Sequence, residues 1–294
     1  MHFSPINWFR GGDPVTTIIT VKNLRHVYPD GTQVELLGEE PFKVSRGEKV
    51  AIIGANGAGK TTLLSTLTGL IKPTRGEVQV AGLSPYKDFH QLRRKLGVVL
   101  QNAEEQIIGP RVYDDIAFTL RQDRLSPEDV RTEVLQVASM LGIKDELQKI
   151  PHYLSGGEKQ KVALAGALIH KPDILILDEP LDNLDAHAKQ EVEAVLDGLC
   201  EGQGVTILLT THDLNWSARW ADTVLVLGRD LPLQHGPPED ILTDWGTLKA
   251  VGLEPPVLVS LFKRLKDKGL AEETPVTLDE AEALLEAKIH RRDT

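Results

Sequence analysis

One cysteine in 294 residues, Cys200, rules out an intramolecular disulfide and any metal site built from several thiolates. Basic residues are outnumbered, 33 Lys and Arg against 43 Asp and Glu, and the formal charge of −10 argues against a general grip on nucleic acid. No apolar run approaches the roughly 20 residues that a membrane-crossing helix needs. Nine histidines lie scattered without close pairing, which gives no histidine metal site. Residues 1–10 lack the cationic start and apolar stretch of a secretion signal. The cytosol is therefore the expected compartment, and attachment to a membrane is expected to pass through a partner. What is present is an ordinary globular composition, 41% hydrophobic and 26% charged. The length suits one large domain or one domain with an appendage.

The richest local signal is Gly54-Ala55-Asn56-Gly57-Ala58-Gly59-Lys60-Thr61, with Thr62 following. It comes directly after an apolar run, residues 50–53, so a strand leads into it and a helix leads out. Glycines let backbone N–H groups curl round a polyphosphate, and the helix aims its positive end at the same charge. Lys60 can reach the β- and γ-phosphates, and the Thr61 hydroxyl is placed to ligate Mg²⁺. A glycine-rich turn with a stray lysine is the bland alternative; the strand-then-helix context speaks against it. The chain is expected to bind a nucleoside triphosphate.

Around this loop the sequence alternates between strands and helices. Residues 1–16 read as a flexible leader. Short β-prone runs follow at 18–21 and 34–37, with Asp30-Gly31 as a hairpin turn between them. A helix over 61–70, a strand over 77–80 and a buried strand over 96–100 come next. Residues 112–142 have helical periodicity, with Ser126 as a helix start. Further strands are expected at 174–177, 205–209 and 224–227, and helices after Ser155 and over 186–199. This alternation implies an α/β fold with a parallel sheet covered on both faces. At the C-terminal end, one helix after Pro256 is expected to carry Leu258, Leu261, Phe262 and Leu265 on one side. A second is announced by the capping box Thr277-x-x-Glu280. These two helices either cover the core or contact a second subunit.

Two further motifs carry chemistry. The apolar run at 174–177 ends in Asp178-Glu179, and a strand tip beside the loop can place Asp178 near Mg²⁺ and Glu179 against an attacking water. Leu154-Ser155-Gly156-Gly157-Glu158 then offers a capped helix start with its N–H groups open to an anion. With this segment the chain resembles the ATP-binding subunits of ABC transporters, whose signature usually has Gln where Glu158 stands. The resemblance spans about residues 18–236 and includes the expected motifs in order. Residues 98–107, 113–118, 159–166, 236–240 and 252–256 further resemble the energy-coupling-factor branch, particularly ATPases of cobalt and nickel importers.

That resemblance implies a P-loop ATPase fold: a RecA-like parallel sheet core, an antiparallel β subdomain and a helical insert. The domain boundaries it suggests are 17–250 for the ATP-binding unit, with the helical subdomain at about 102–165, and 251–294 for a helical extension. It implies that Tyr28 stacks on adenine, that Gln101 approaches Mg²⁺ or the water, and that His212 contacts the γ-phosphate. Asp185 would couple two nucleotide sites, and Ser155, Gly156, Gly157 and Glu158 would cap ATP held by a second copy. ATP and Mg²⁺ are the implied cofactors. The implied partners are a coupling transmembrane protein, a substrate-binding membrane component, and a second ATPase, identical or related. The implied location is the cytoplasmic face of the membrane. A vitamin importer of the same branch and a soluble, non-transport ATPase are the alternatives.

Overall fold

The computed structural model describes residues 17–36, 41–182, 184–229, 231 and 233–290. The leader at 1–16, Leu37 of the second predicted strand and Asn183 of the loop after the acid pair lie outside them.

Two sheets share one apolar cluster beside the phosphate loop. The smaller is antiparallel and organised by one long strand, β1 (Thr17–Val27). Its end turns through Asp30-Gly31, Gly31 at φ +86°, and pairs with β2 (Gln33–Glu35), as the turn signal predicts. Its start pairs on one edge with β3 (Phe42–Ser45). The strand β5 (Arg75–Val80) takes the other edge. The larger sheet has the order β10-β9-β4-β8-β7-β6. Here β4 is Lys49–Gly54, β6 is Leu96–Val99, β7 is Ile174–Asp178, β8 is Thr206–Thr210 and β9 is Thr223–Leu227. These five run parallel, and β10 (Gln234–Gly236) closes the edge antiparallel to β9.

Strand parity explains how both faces are buried. On β7, Ile174 and Ile176 point to one side and join Val50, Ile52 and Leu208 with the antiparallel sheet and α1 (Lys60–Leu67). Leu175 and Leu177 point to the other, joining Ile207, Leu209 and the helical insert. Near-continuous apolar strands such as 174–177 are what a sheet covered on both faces demands.

The insert contributes α3 (Ala103–Gln106), α4 (Val112–Gln122) and α5 (Pro127–Met140), after the short α2 (Phe89–Leu92). Ser126 caps α5 through the Asp129 N–H, as predicted. The helix α6 (Gly156–Leu168) packs on β6 as well as on α4 and α5, so it joins insert and core. The remaining core helices are α7 (Ala186–Gln203) and α8 (Leu214–Trp220).

A third apolar cluster holds the C-terminal region. Ile53, Val224 and Val226 meet α9 (Pro238–Ile241), α10 (Trp245–Ala250), α11 (Val257–Asp267) and the residues before α12 (Leu278–His290). The predicted capping box forms between Thr277 and Glu280. The predicted apolar face of α11 is corrected: Val259 and Phe262 are the buried pair, while Leu261 is 48% exposed and Leu258 and Leu265 only half covered. The helix is rotated because Val259 packs with Val276 and Leu248 against the sheet. Leu278 and Leu285 of α12 are exposed too. The extension thus covers core with one edge and shows apolar side chains on the other.

Candidate active site

β4 stops at Gly54, and the chain turns tightly before α1 starts at Lys60. Two glycines are required by packing. A β-carbon on Gly54 would stand 2.5 Å from the Leu227 carbonyl oxygen. One on Gly59, at φ +99°, would stand 2.3 Å from Leu36 Cδ2. The second contact shows how closely the hairpin lies against the loop. Between them is a cavity of about 360 Å³, lined by residues 32–35, residues 55–62, Gln101, Asp178, Glu179, Gly228 and Arg229.

Lys60 forms its buried floor. Its Nζ donates to the Gly54 carbonyl at 2.7 Å and lies 3.4 Å from that of Ala55. Burial draws its pKa below the ordinary lysine value, while the nearby charges of Glu179, Asp178 and Asp182 oppose that shift. Its hydrogen bonds go to carbonyls, so the ammonium charge stays available to a polyphosphate entering the loop. Thr61 is exposed on the first turn of α1 and lines the same cavity.

The acids arrive on β7. Thr210, fully buried at the end of β8, donates its hydroxyl proton to Asp178 Oδ1 at 2.5 Å and accepts the Glu179 N–H at 2.8 Å. Glu179 sits at φ +49°, a backbone conformation that side chains with a β-carbon disfavour. The Thr210 bond helps to hold it there. Only 8% of Glu179 is exposed. Its Oε2 accepts from Gln101 Nε2 at 2.5 Å, and its Oε1 lies 2.5 Å from His212 Nε2. Three neighbouring strands, β6, β7 and β8, therefore deliver an amide, a carboxylate and an imidazole to one point. A carboxylate held between two nitrogens beside a phosphate cradle is positioned to orient water and take its proton.

The donor set fits a hard cation. The Thr61 hydroxyl, the Asp178 carboxylate and the Gln101 amide line one cavity. No group of three or more His, Cys, Asp or Glu able to hold a metal occurs among the described residues. Mg²⁺, which keeps several waters and binds phosphate oxygens through few protein ligands, suits such a set.

The signature residues are not brought to this cavity. Ser155 and Gly156 are exposed at the start of α6, and none of residues 155–158 lines it. Ser155 Oγ accepts the Glu158 N–H at 3.3 Å, and Glu158 Oε2 accepts the Ser155 N–H at 2.7 Å, a complete capping box. Glu158 here acts as an acceptor, so the cap needs no proton from this side chain. Asp185 caps α7 through the Ala188 N–H at 2.8 Å. Tyr28 is also absent from the lining. Its hydroxyl is 2.8 Å from Thr62 Oγ1 and its ring meets His26 edge-on, which sets it beside the loop.

Sequence reasoning missed three contributors: Thr210, the hairpin wall at 32–35, and Arg229. The threonine had a faint signal, a hydroxyl closing an otherwise apolar strand. The other two reach the site only through packing.

The fold and the site define an ATP-binding cassette, and comparison with known proteins agrees. Residues 37–182 match the ABC transporter family. The energy-coupling factor transporter ATP-binding protein EcfA of Methanosphaera stadtmanae is 37% identical over 254 residues, 85% of this chain and 90% of that protein. CbiO1 from Clostridium perfringens, described as part of the ABC transporter complex CbiONQ, superposes with a TM-score of 0.70 at 31% identity. That match covers 84% of this chain and 99% of CbiO1. A dimeric post-hydrolysis state of the ATP-binding cassette MJ0796, bound to ADP and Pi, has a TM-score of 0.66 at 27% identity. It covers 75% of this chain and 98% of MJ0796. The chain belongs to the ABC transporter family of ATP-binding proteins, in its energy-coupling-factor branch, and is an ATPase.

Proposed function

We propose that this chain is the ATP-hydrolysing motor of a membrane importer of the energy-coupling-factor type, working at the cytoplasmic face in a head-to-tail pair. The observation that carries this reading is the convergence of Gln101, Glu179 and His212 at one end of the loop cavity. Residues 54–62 hold the triphosphate, with Lys60 on its outer phosphates and Tyr28 beside the adenine. Thr61, Asp178 and Gln101 would hold Mg²⁺, which would supply charge neutralisation on the phosphate oxygens. Glu179 orients the attacking water and takes its proton, and His212 fixes the Glu179 carboxylate and contacts the γ-phosphate. Ser155, Gly156 and Gly157 of the second copy close over that phosphate, and Asp185 links the two sites. The γ-phosphate binds the closed pair better than the open one; that difference drives closure, and hydrolysis removes it.

Residues 17–250 form the motor unit, with a helical subdomain at about 102–165, and the extension at 251–294 adds contact between copies. No described helix is long and apolar enough to cross a membrane. The reading therefore requires integral partners: a coupling transmembrane protein and a substrate-binding component. The names of the EcfA and CbiO1 relatives support such an assembly. Cobalt or nickel is the proposed cargo, on the likeness to the importer ATPases.

Purification of the tagged chain from detergent-solubilised membranes of its own host tests the assembly. An integral coupling protein is expected to accompany it, and uptake of labelled cobalt or nickel is expected to cease in Glu179→Gln cells. A chain that brings down no integral protein would overturn the motor reading. Loss of vitamin uptake with unchanged metal uptake would replace the cargo.

A further inference from the structure

Two charged groups at the ends of the two half-sites are left over by the mechanism above. Arg229 lines the loop cavity and is exposed at its mouth. A β-carbon on Gly57 would lie 3.8 Å from its Nη2, so the guanidinium stands beside the phosphate loop. It has no hydrogen-bond or ion-pair partner among the described residues. Among the described residues Lys60 is the only other cation in the lining, and it is held on the floor by the Gly54 carbonyl. A guanidinium at a rim, without a partner among the described residues, is a fork that donates to a carboxylate or a phosphate.

Glu158 is the complementary group. One carboxylate oxygen, Oε2, is used by the Ser155 N–H; the other lies 3.6 Å from Lys149 Nζ, beyond a hydrogen bond. The Ser155 N–H and hydroxyl, with the Lys149 charge, hold this acid below the usual carboxylate range, so it is ionised at neutral pH. Within one copy it does not line the cavity that Arg229 lines. In the pair proposed above, the start of α6 from one copy covers the loop cavity of the other. A carboxylate, only partly offset by the Lys149 ammonium 3.6 Å away, is then carried toward a bound polyphosphate, and a cation at the rim relieves the remaining repulsion.

We propose that Arg229 of one copy pairs with Glu158 of the second copy when the ATP-loaded pair closes, so that each nucleotide site is sealed by an ion pair between copies. The inference rests on the head-to-tail reading. The pair would offset the acid at the signature position and make closure sensitive to ionic strength.

A double-mutant cycle tests it in the hydrolysis-blocked Glu179→Gln chain. Arg229→Gln, Glu158→Gln and the double variant are compared by dimer dissociation constant with ATP and Mg²⁺, using analytical ultracentrifugation. Glutamine at 158 keeps the oxygen that caps Ser155, so folding is not at stake. Each single change is expected to weaken the dimer about two- to fivefold, the range of an exposed ion pair. The double change should weaken it no more than either single, and the differences should shrink at high salt. Arg229→Glu is expected to cost more, and adding Glu158→Gln to it should recover most of the loss. Independent, multiplying effects would overturn the pairing. So would weaker binding of ATP by monomeric Arg229→Gln, which would assign the arginine to the nucleotide itself. If the Glu179→Gln parent forms no dimer with ATP, the head-to-tail reading fails, and this inference with it.

Discussion

The two ends of the catalytic apparatus in this chain are built to different standards. The loop end is buried and tied together: Lys60 sits on two carbonyls, Glu179 is fixed by Gln101, His212 and Thr210, and a hairpin presses against Gly59. The signature end is a capped helix start in solvent, with Ser155 and Gly156 exposed. On the function proposed above, the difference separates the end that performs chemistry from the end that receives. A proton acceptor needs fixed geometry before the substrate arrives, whereas a lid needs only free donors aimed outward. Ser155 Oγ accepts the Glu158 N–H, which fixes the side chain at the exposed start of α6.

The contrast can be broken at either end. Lys60→Ala should have the largest effect, raising the ATP dissociation constant about a hundredfold, because a buried charged partner of the phosphates is lost. Equilibrium binding of a fluorescent ATP analogue would read it. Ser155→Ala should behave differently, leaving ATP affinity of the monomer unchanged while lowering turnover about tenfold, through a lost hydrogen bond to a charged group. Steady-state ATPase assays beside the same binding titration separate the two ends. Weakened monomer binding in Ser155→Ala would place the signature on its own nucleotide. Thr210→Val sharpens the account of the loop end. Removing a buried hydroxyl that serves both Asp178 and the Glu179 backbone should cost about 1–3 kcal/mol of stability in urea unfolding and slow turnover as well.

The smallest effect concerns Cys200, away from both ends. It is buried, and desolvation pushes its thiol from 9.0 up to about 11. A raised folded pKa leaves stability untouched below the unfolded value. Stability then falls between about pH 9 and 11, where only the unfolded thiol ionises. Native protein should therefore react with a thiol reagent at pH 8 far more slowly than urea-unfolded protein, and Cys200→Ser should flatten the alkaline loss of stability.

Much of this site was legible because phosphate chemistry demands a contiguous string. Loop, acid pair and signature each declare themselves within a few residues, and β4, β7 and α6 could be placed from them. The strands β3 and β10 were not legible. Phe42-Lys-Val-Ser45 alternates too briefly to stand out, and Gln234-His-Gly236 contains no aliphatic residue; each exists because a neighbouring edge pairs with it. The hairpin wall and Arg229 were invisible for the same reason, since their place depends on β2 folding over the loop and on β9 running beside β4. Periodicity found α11 but misjudged its inward face, because a pattern of leucines does not say which neighbour the helix meets.

The central claim is that bound triphosphate joins two incomplete sites. Size-exclusion chromatography with light scattering on Glu179→Gln, with and without ATP and Mg²⁺, tests it most directly. The account predicts a monomer without nucleotide and a dimer holding two unhydrolysed ATP molecules with it. A chain that binds ATP tightly yet stays monomeric would contradict it.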